Sequence, residues 1–163
     1  MLTTQTRAGG ASALIRGATM ADLPAVERLL TENKLPLDGV REALNAFLVA
    51  ESGGALVGVA GLEVCCEHAL LRSVAVVPAW RSKGLGRELV TRIIADAESR
   101  GLHALYLLTT TAEHYFPSFG FERITRDDVP ADVRTTREFQ GACPASATVM
   151  RRATHRSGEA ALS

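Results

Sequence analysis

The chain has 163 residues, 47% of them apolar, and 18 basic side chains balance 18 acidic ones for a formal net charge of zero. That length fills one core and is short for two ordinary domains; the balanced charge, with no run of Lys or Arg, argues against nucleic acid as a partner. No apolar run reaches bilayer length and MLTTQTRAGGASALIR has no continuous apolar stretch, so no membrane partner and a cytoplasmic location are expected. Cys65, Cys66 and Cys143 are an odd, poorly spaced set and read as reduced thiols. No C-x-x-C or H-x-x-x-H spacing occurs, so no metal is expected.

In chain order, residues 1–13 are small and polar and read as a flexible leader, 14–152 as a single domain, and 153–163 as a flexible tail. Residues 14–16 predict a first strand, and Thr19 and Asp22 a capped helix start. That helix runs to about Asn33, with Leu23, Val26, Leu29 and Leu30 recurring at helical spacing toward a sheet. After Leu35-Pro36, residues 37–45 predict a second short helix carrying Val40 and Leu44. Residues 47–50 and 55–64 flank Ser52-Gly53-Gly54 and read as a hairpin, and 70–77 as a third antiparallel strand.

Pro78 stops that strand, and the loop Arg81-Ser82-Lys83-Gly84-Leu85-Gly86 opens a helix. Its Leu85, Leu89, Val90, Ile93, Ile94 and Ala97 share one face, and Gly101 ends it. Gly84 and Gly86 permit backbone angles closed to other residues and bring no Cβ between a ligand and the main chain. The first helical turn offers unpaired N–H groups and the positive end of the helix dipole, a corner suited to a pyrophosphate. Residues 104–109 form an apolar strand reached through a helical crossover, hence parallel to the 70–77 strand. A short helix at 112–119 closes on Gly120-Phe121; residues 122–152 are loop-rich and finish in a strand at 147–150.

Three blocks in this order carry a resemblance: IRGATMADLPAVERLL, SVAVVPAWRSKGLG with its R-x-x-G-x-G, and AEHYFPSFGF. The chain resembles the GNAT superfamily of acetyl-CoA-dependent N-acetyltransferases over about residues 15–151. LLTTTAEHYFPSFGF followed by DDVPADVR is similar to the acetyltransferase domain of N-acetylglutamate synthases. GLEV, LLRSVAV, LLTTTA, TTREF and CPASA look closer still to small GNAT proteins encoded among bacterial arsenic-resistance genes. The resemblance implies an α/β fold: a mixed, mostly antiparallel central sheet, one parallel strand pair splayed at the cofactor site, and helices on both faces. It implies acetyl-CoA as cosubstrate, a small amino-acid-like amine as the other partner, and a frequent homodimer.

The implied reaction is direct attack of a neutral primary amine on the thioester in a ternary complex. A free amine has a pKa of roughly 8 to 10, so a proton must be removed. The family likeness points to a backbone N–H around Val74, Ala75 and Val76 as oxyanion donor, and the same strand would pair with the pantetheine arm. Arg81, Ser82, Lys83, Gly84, Leu85 and Gly86 would hold the pyrophosphate, with Lys83 and Arg87 adding charge. Thr109 stands where relatives often carry a cofactor-binding Asn.

Phe116 occupies the position at which many members place a proton-donating tyrosine, and Tyr115 lies one residue earlier. Leu70 replaces the glutamate that some members use as base. Glu63, Glu67, His68 and His114 remain as water-mediated candidates. Arg72, a charge within an apolar strand, is costly to bury alone and reads as gripping a substrate carboxylate, or as pairing with a structural acid. The catalytic set taken forward is Glu63, Tyr115 and Arg72. His68 reads as a solvated connection residue; Arg134, Arg137 and Glu138 read as solvated or partner-facing surface, with carboxylate recognition as the lesser alternative. Two rival functions stand beside acetyl transfer: a catalytically weak acyl-CoA-binding module, and a thiol-based arsenic-binding protein using the three cysteines.

Overall fold

The computed structural model describes residues 4–8, 11–143 and 145–154. Eight strands form one sheet in the order β1-β2-β3-β4-β5-β6-β8-β7. β1 with β2, β2 with β3, β3 with β4, β6 with β8 and β7 with β8 pair antiparallel, whereas β5 and β6 are parallel. This is the mixed, mostly antiparallel sheet with one parallel pair, accompanied by helices, that the GNAT resemblance implies. The chain divides into two compact units, one built from the chain up to Leu62 with Ser73–Ile93, the other from Glu63–Arg72 with the chain from Ile94 onward. No helix among the described residues is long and apolar enough to cross a membrane.

The first unit begins with β1 (Thr4–Ala8) and β2 (Ala11–Gly17), paired antiparallel from Thr4↔Ile15 to Ala8↔Ala11. Part of the stretch expected as a flexible leader is therefore strand. The Thr-Gln-Thr alternation suits a strand, and the ladder satisfies the backbone N–H and C=O groups. A 3-10 turn at Met20–Asp22 leads into α1 (Leu23–Glu32), as Thr19 and Asp22 predicted. The Thr19 N–H donates to Asp22 Oδ2 at 2.8 Å, while Arg16 grips both Asp22 oxygens at 2.8 and 2.9 Å. That fork holds the Asp22 carboxyl down at about 2.

The second predicted helix is shorter than expected: α2 (Val40–Ala43) followed by a 3-10 turn at Leu44–Ala46. Strands β3 (Phe47–Ser52) and β4 (Ala55–Cys65) form the hairpin, in register from Phe47↔Gly61 to Ser52↔Ala55. Leu23, Val26, Leu29 and Leu30 of α1 pack with Val40, Leu44, Phe47, Val49, Val59 and Ala75 as one core. A Cβ at Gly58 would meet Leu89 and Leu85 of α3 (Leu85–Ser99) at 3.0 and 3.3 Å, and one at Gly61 would enter the Phe47 ring. Both glycines of β4 thus let a large apolar side chain lie directly on the strand. All six apolar residues read as the buried face of α3 are buried.

In the second unit, the first part of β5 (His68–Val76) pairs with β6 (Ala104–Thr109) through His68↔Ala104, Ala69↔Leu105 and Leu70↔Tyr106. Both strands continue past that ladder. β6 also pairs antiparallel with β8 (Thr148–Ala153), and β8 with β7 (Glu122–Ile124). The helix expected at 112–119 is a turn followed by a 3-10 helix at Phe116–Phe119. Pro117 has no N–H to give to an α-helical ladder and breaks the expected helix. The loop-rich segment contains α4 (Ala131–Arg134) and a π-type turn at Glu138–Ala142. Leu70, Ala104, Tyr106, Val129, Val133 and Val149 form this unit's core. Thr154 closes the described chain, and the rest of the predicted tail lies outside the described residues.

Candidate active site

In the first unit, the expected pyrophosphate loop is an exposed turn over residues 81–84 that runs directly into α3. Gly84 has φ 87°, a left-handed angle that a side chain resists, and a Cβ there would meet nothing within 4 Å. Its carbonyl accepts the Glu88 N–H at 3.0 Å, which makes it the helix N-cap. The amides of Leu85 and Gly86 open α3 ahead of its first intrahelical bond, where the helix dipole favours an anion. Gly86 lies within the first turn of α3, outside the left-handed region, so of the two loop glycines only Gly84 uses it. Leu85 is buried and anchors the turn, whereas Lys83 and Arg87 are exposed.

Arg81 takes a different part from the one expected. Its Nε donates to the Val76 carbonyl at 3.0 Å and its Nη2 to Asn33 Oδ1 at 2.9 Å. The guanidinium therefore ties the loop to the end of β5 and the C-cap of α1. Ser82 also has a left-handed backbone, at φ 63°. Val74, Ala75 and Val76 follow Ser73, whose φ of 60° interrupts β5 with a residue that is neither glycine nor in the extended region. Ala75 is buried, while Val74 and Val76 are half-buried.

In the second unit the structure brings Glu63 and Arg72 together. Arg72 Nη1 donates to Glu63 Oε1 at 2.7 Å, and its Nε lies 3.6 Å from Glu138 Oε2. The side-chain exposures are 0% for Arg72, 21% for Glu63 and 7% for Glu138. Of the two readings of Arg72, the pairing with an acid is therefore the observed one, with two acids as partners. Glu138, read as surface, is buried. Burial pushes its carboxyl up from the ordinary range, against the opposing pull of Arg72. The Cys143 thiol donates to Glu138 Oε1 at 3.3 Å, and burial pushes that thiol up to about 12.

Tyr115 is exposed at 38% and packs edge-on against Phe116 and Phe119, at 5.2 Å from each. Phe116 is the buried member. Thr109 ends β6, and its Oγ1 accepts the Ala112 N–H at 2.9 Å and the Thr111 N–H at 3.4 Å, closing the following turn. His68 is half-buried rather than solvated: its Nδ1 lies 3.0 Å from Asp132 Oδ2, and its ring meets His103 and Tyr106 edge-on. Burial pushes the Cys65 thiol up to about 12 as well. Among the described residues no group of three or more His, Cys, Asp and Glu is placed to hold a metal ion.

Sequence reasoning missed Asn33, whose partner Arg81 lies 48 positions away, and it missed the contacts of Glu138 and Cys143, which it had read as surface and as a free thiol. Only a demand that buried Arg72 find two acids could have pointed to Glu138.

The acetyltransferase (GNAT) domain family matches residues 43–123. An amino-acid acetyltransferase of Aeromonas salmonicida is 30% identical over 136 residues, covering 77% of this chain and 30% of that protein. N-acetylglutamate synthase of Neisseria gonorrhoeae, crystallised with coenzyme A and N-acetyl-glutamate, superposes with a TM-score of 0.76 at 25% identity, over 88% of this chain and 35% of that one. Rv2747 of Mycobacterium tuberculosis, solved in complex with coenzyme A, gives a TM-score of 0.73 at 26% identity, over 85% of this chain and 98% of that one. The chain thus spans about a third of the length of the curated relatives it first matches. With the left-handed Gly84 cap and the short parallel ladder on β5, these likenesses show that the chain belongs to the GNAT acetyltransferase family.

Proposed function

We propose that the chain transfers acetyl from acetyl-CoA to the primary amine of a small amino-acid-like acceptor. The observation that carries this reading is the corner at Gly84, where left-handed backbone, open space and the first amides of α3 coincide between Lys83 and Arg87. Acetyl-CoA supplies the activated acyl group. The chain's own part is to hold the pyrophosphate at 82–87 and to receive the acceptor's proton, with Glu63 as the partly exposed carboxylate. In balance, the amine nitrogen bonds to the acetyl carbon, the carbon–sulfur bond breaks, the acceptor gives up a proton and the CoA thiolate gains one.

A covalent acetyl-cysteine is disfavoured, because Cys65 and Cys143 are held near 12 and so carry little thiolate. The same argument weighs against a thiol-based arsenic-binding protein. Similarity to arsenic-resistance-associated relatives keeps arsenic and phosphorus analogues of amino acids among the acceptors to test. We place the activity in the cytoplasm and expect a homodimer, which sedimentation equilibrium would check.

The test is calorimetric titration with acetyl-CoA and CoA of the wild type and of Gly84→Trp, followed by thiol release across a panel of amino acids and their analogues. Micromolar binding lost in the variant, with turnover on at least one amine, supports the reading. Binding without turnover points to an acyl-CoA-binding module, and a folded wild type that binds neither ligand overturns both.

A further inference from the structure

Glu138 Oε2 is a buried carboxyl oxygen with no hydrogen-bond partner among the described residues. It belongs to a cluster whose charges do not balance: Glu63 and Glu138 supply two carboxylates, and Arg72 supplies one guanidinium. Cys143, on the other side of Glu138, is a neutral thiol and adds nothing. The charged and titratable groups facing Glu138 are Arg72 from β5, Glu63 from β4 and Cys143 from its own segment. One step further out, Cys65 and Asp132 lie toward Glu63, and Arg126 toward Cys143. Counted over the described residues, such a cluster is one positive charge short, and an uncompensated buried charge is costly unless a proton or a cation supplies the balance. Burial pushes the Glu138 carboxyl up, toward the neutral form that would restore the balance.

We infer that the Glu63–Arg72–Glu138 cluster is the seat of the acceptor's ammonium group, with Glu63 touching it and Glu138, through Arg72, acting as a positioning residue. This rests on the acetyl-transfer reading for the identity of the bound group. Glu63 is the member a fifth exposed, so it meets the incoming cation. The ammonium arrives charged, the Glu138 proton leaves to solvent, and the cluster stays neutral throughout. Arg72 transmits the change because one guanidinium faces both acids.

The test needs no knowledge of the acceptor. Wild-type protein carrying glutamate labelled with carbon-13 at the side-chain carboxyl is titrated with methylammonium chloride, and with tetramethylammonium chloride, which has no N–H, as the matched control. The expected result is a saturable shift of the Glu63 and Glu138 resonances with methylammonium alone, accompanied by proton release. E138Q should bind methylammonium about tenfold more weakly and release no proton. No shift, or an equal shift with tetramethylammonium, overturns the inference. If E138Q does not fold, the wild-type titration decides alone, with E63Q identifying the contact resonance. Acetyl transfer to amino acids without a methylammonium response removes the seat and leaves the acetyl-transfer reading standing. A methylammonium response without transfer to any amine does the reverse.

Discussion

Arg72 and Glu63 meet at 2.7 Å, the guanidinium wholly buried and the carboxylate only partly so. Removing the cation leaves two acids facing each other without a counter-charge. Arg72→Met should therefore destabilise the native state by about 3–5 kcal/mol. Urea unfolding followed by circular dichroism measures it, and adding Glu138→Leu should recover part of the loss because one stranded acid is then gone.

The Arg16 fork on Asp22 makes a prediction about acid. The Asp22 carboxyl sits at about 2 in the native state, below the value near 3.9 of an unfolded chain. The native state then binds that proton more weakly, so the pair's contribution is complete above about pH 4 and is lost as pH falls through about 2. Both partners are partly exposed, which limits the contribution to about 1 kcal/mol after solvent screening. Asp22→Asn should lower the melting temperature at neutral pH, and its curve should converge on that of the wild type in strong acid.

Gly61 lies under the Phe47 ring, and a methyl group there would occupy the ring's own space. Gly61→Ala should cost about 1–3 kcal/mol through overpacking. The double variant with Phe47→Leu should be more stable than Gly61→Ala alone, because the smaller side chain vacates the contested volume. Thermal unfolding of the three variants settles the point.

The three thiols should separate in a labelling time course. Cys66 is exposed, whereas Cys65 and Cys143 are partly buried with thiols held near 12. Iodoacetamide at neutral pH should modify Cys66 first and the other two far more slowly, since the thiolate is the reacting form. Peptide mass spectrometry identifies the order. Rapid labelling of Cys143 would count against the buried thiol–carboxyl contact.

The elements that hydrophobic spacing controls were legible in the sequence. Leu23, Val26, Leu29 and Leu30 announced α1, Ser52-Gly53-Gly54 announced the hairpin, and the glycine loop announced the start of α3. The segment from 122 onward was not legible at the same level. It has no sustained period, and its burial is set by partners on other strands, so Glu138 looked like surface until Arg72 was found against it. The tie made by Arg81 was hidden for a related reason: the acceptors it meets, Val76 O and Asn33 Oδ1, belong to the ends of other elements. Sequence reading located Glu63 and Arg72 as residues that mattered, and the structure supplied the partner that changes what they do.

Strand β5 changes character at Ser73. From Ala69 to Ser73 every residue is buried, whereas Val74 and Val76 are half-buried on either side of buried Ala75. The left-handed residue at the junction separates a stretch specified by the volume of its side chains from one that alternates. Tolerance to substitution should split at the same place. Before Ser73 a change of size is the damaging event, while from Val74 onward most changes of size at alternate positions are absorbed and a proline, which alters the main chain itself, is the damaging one.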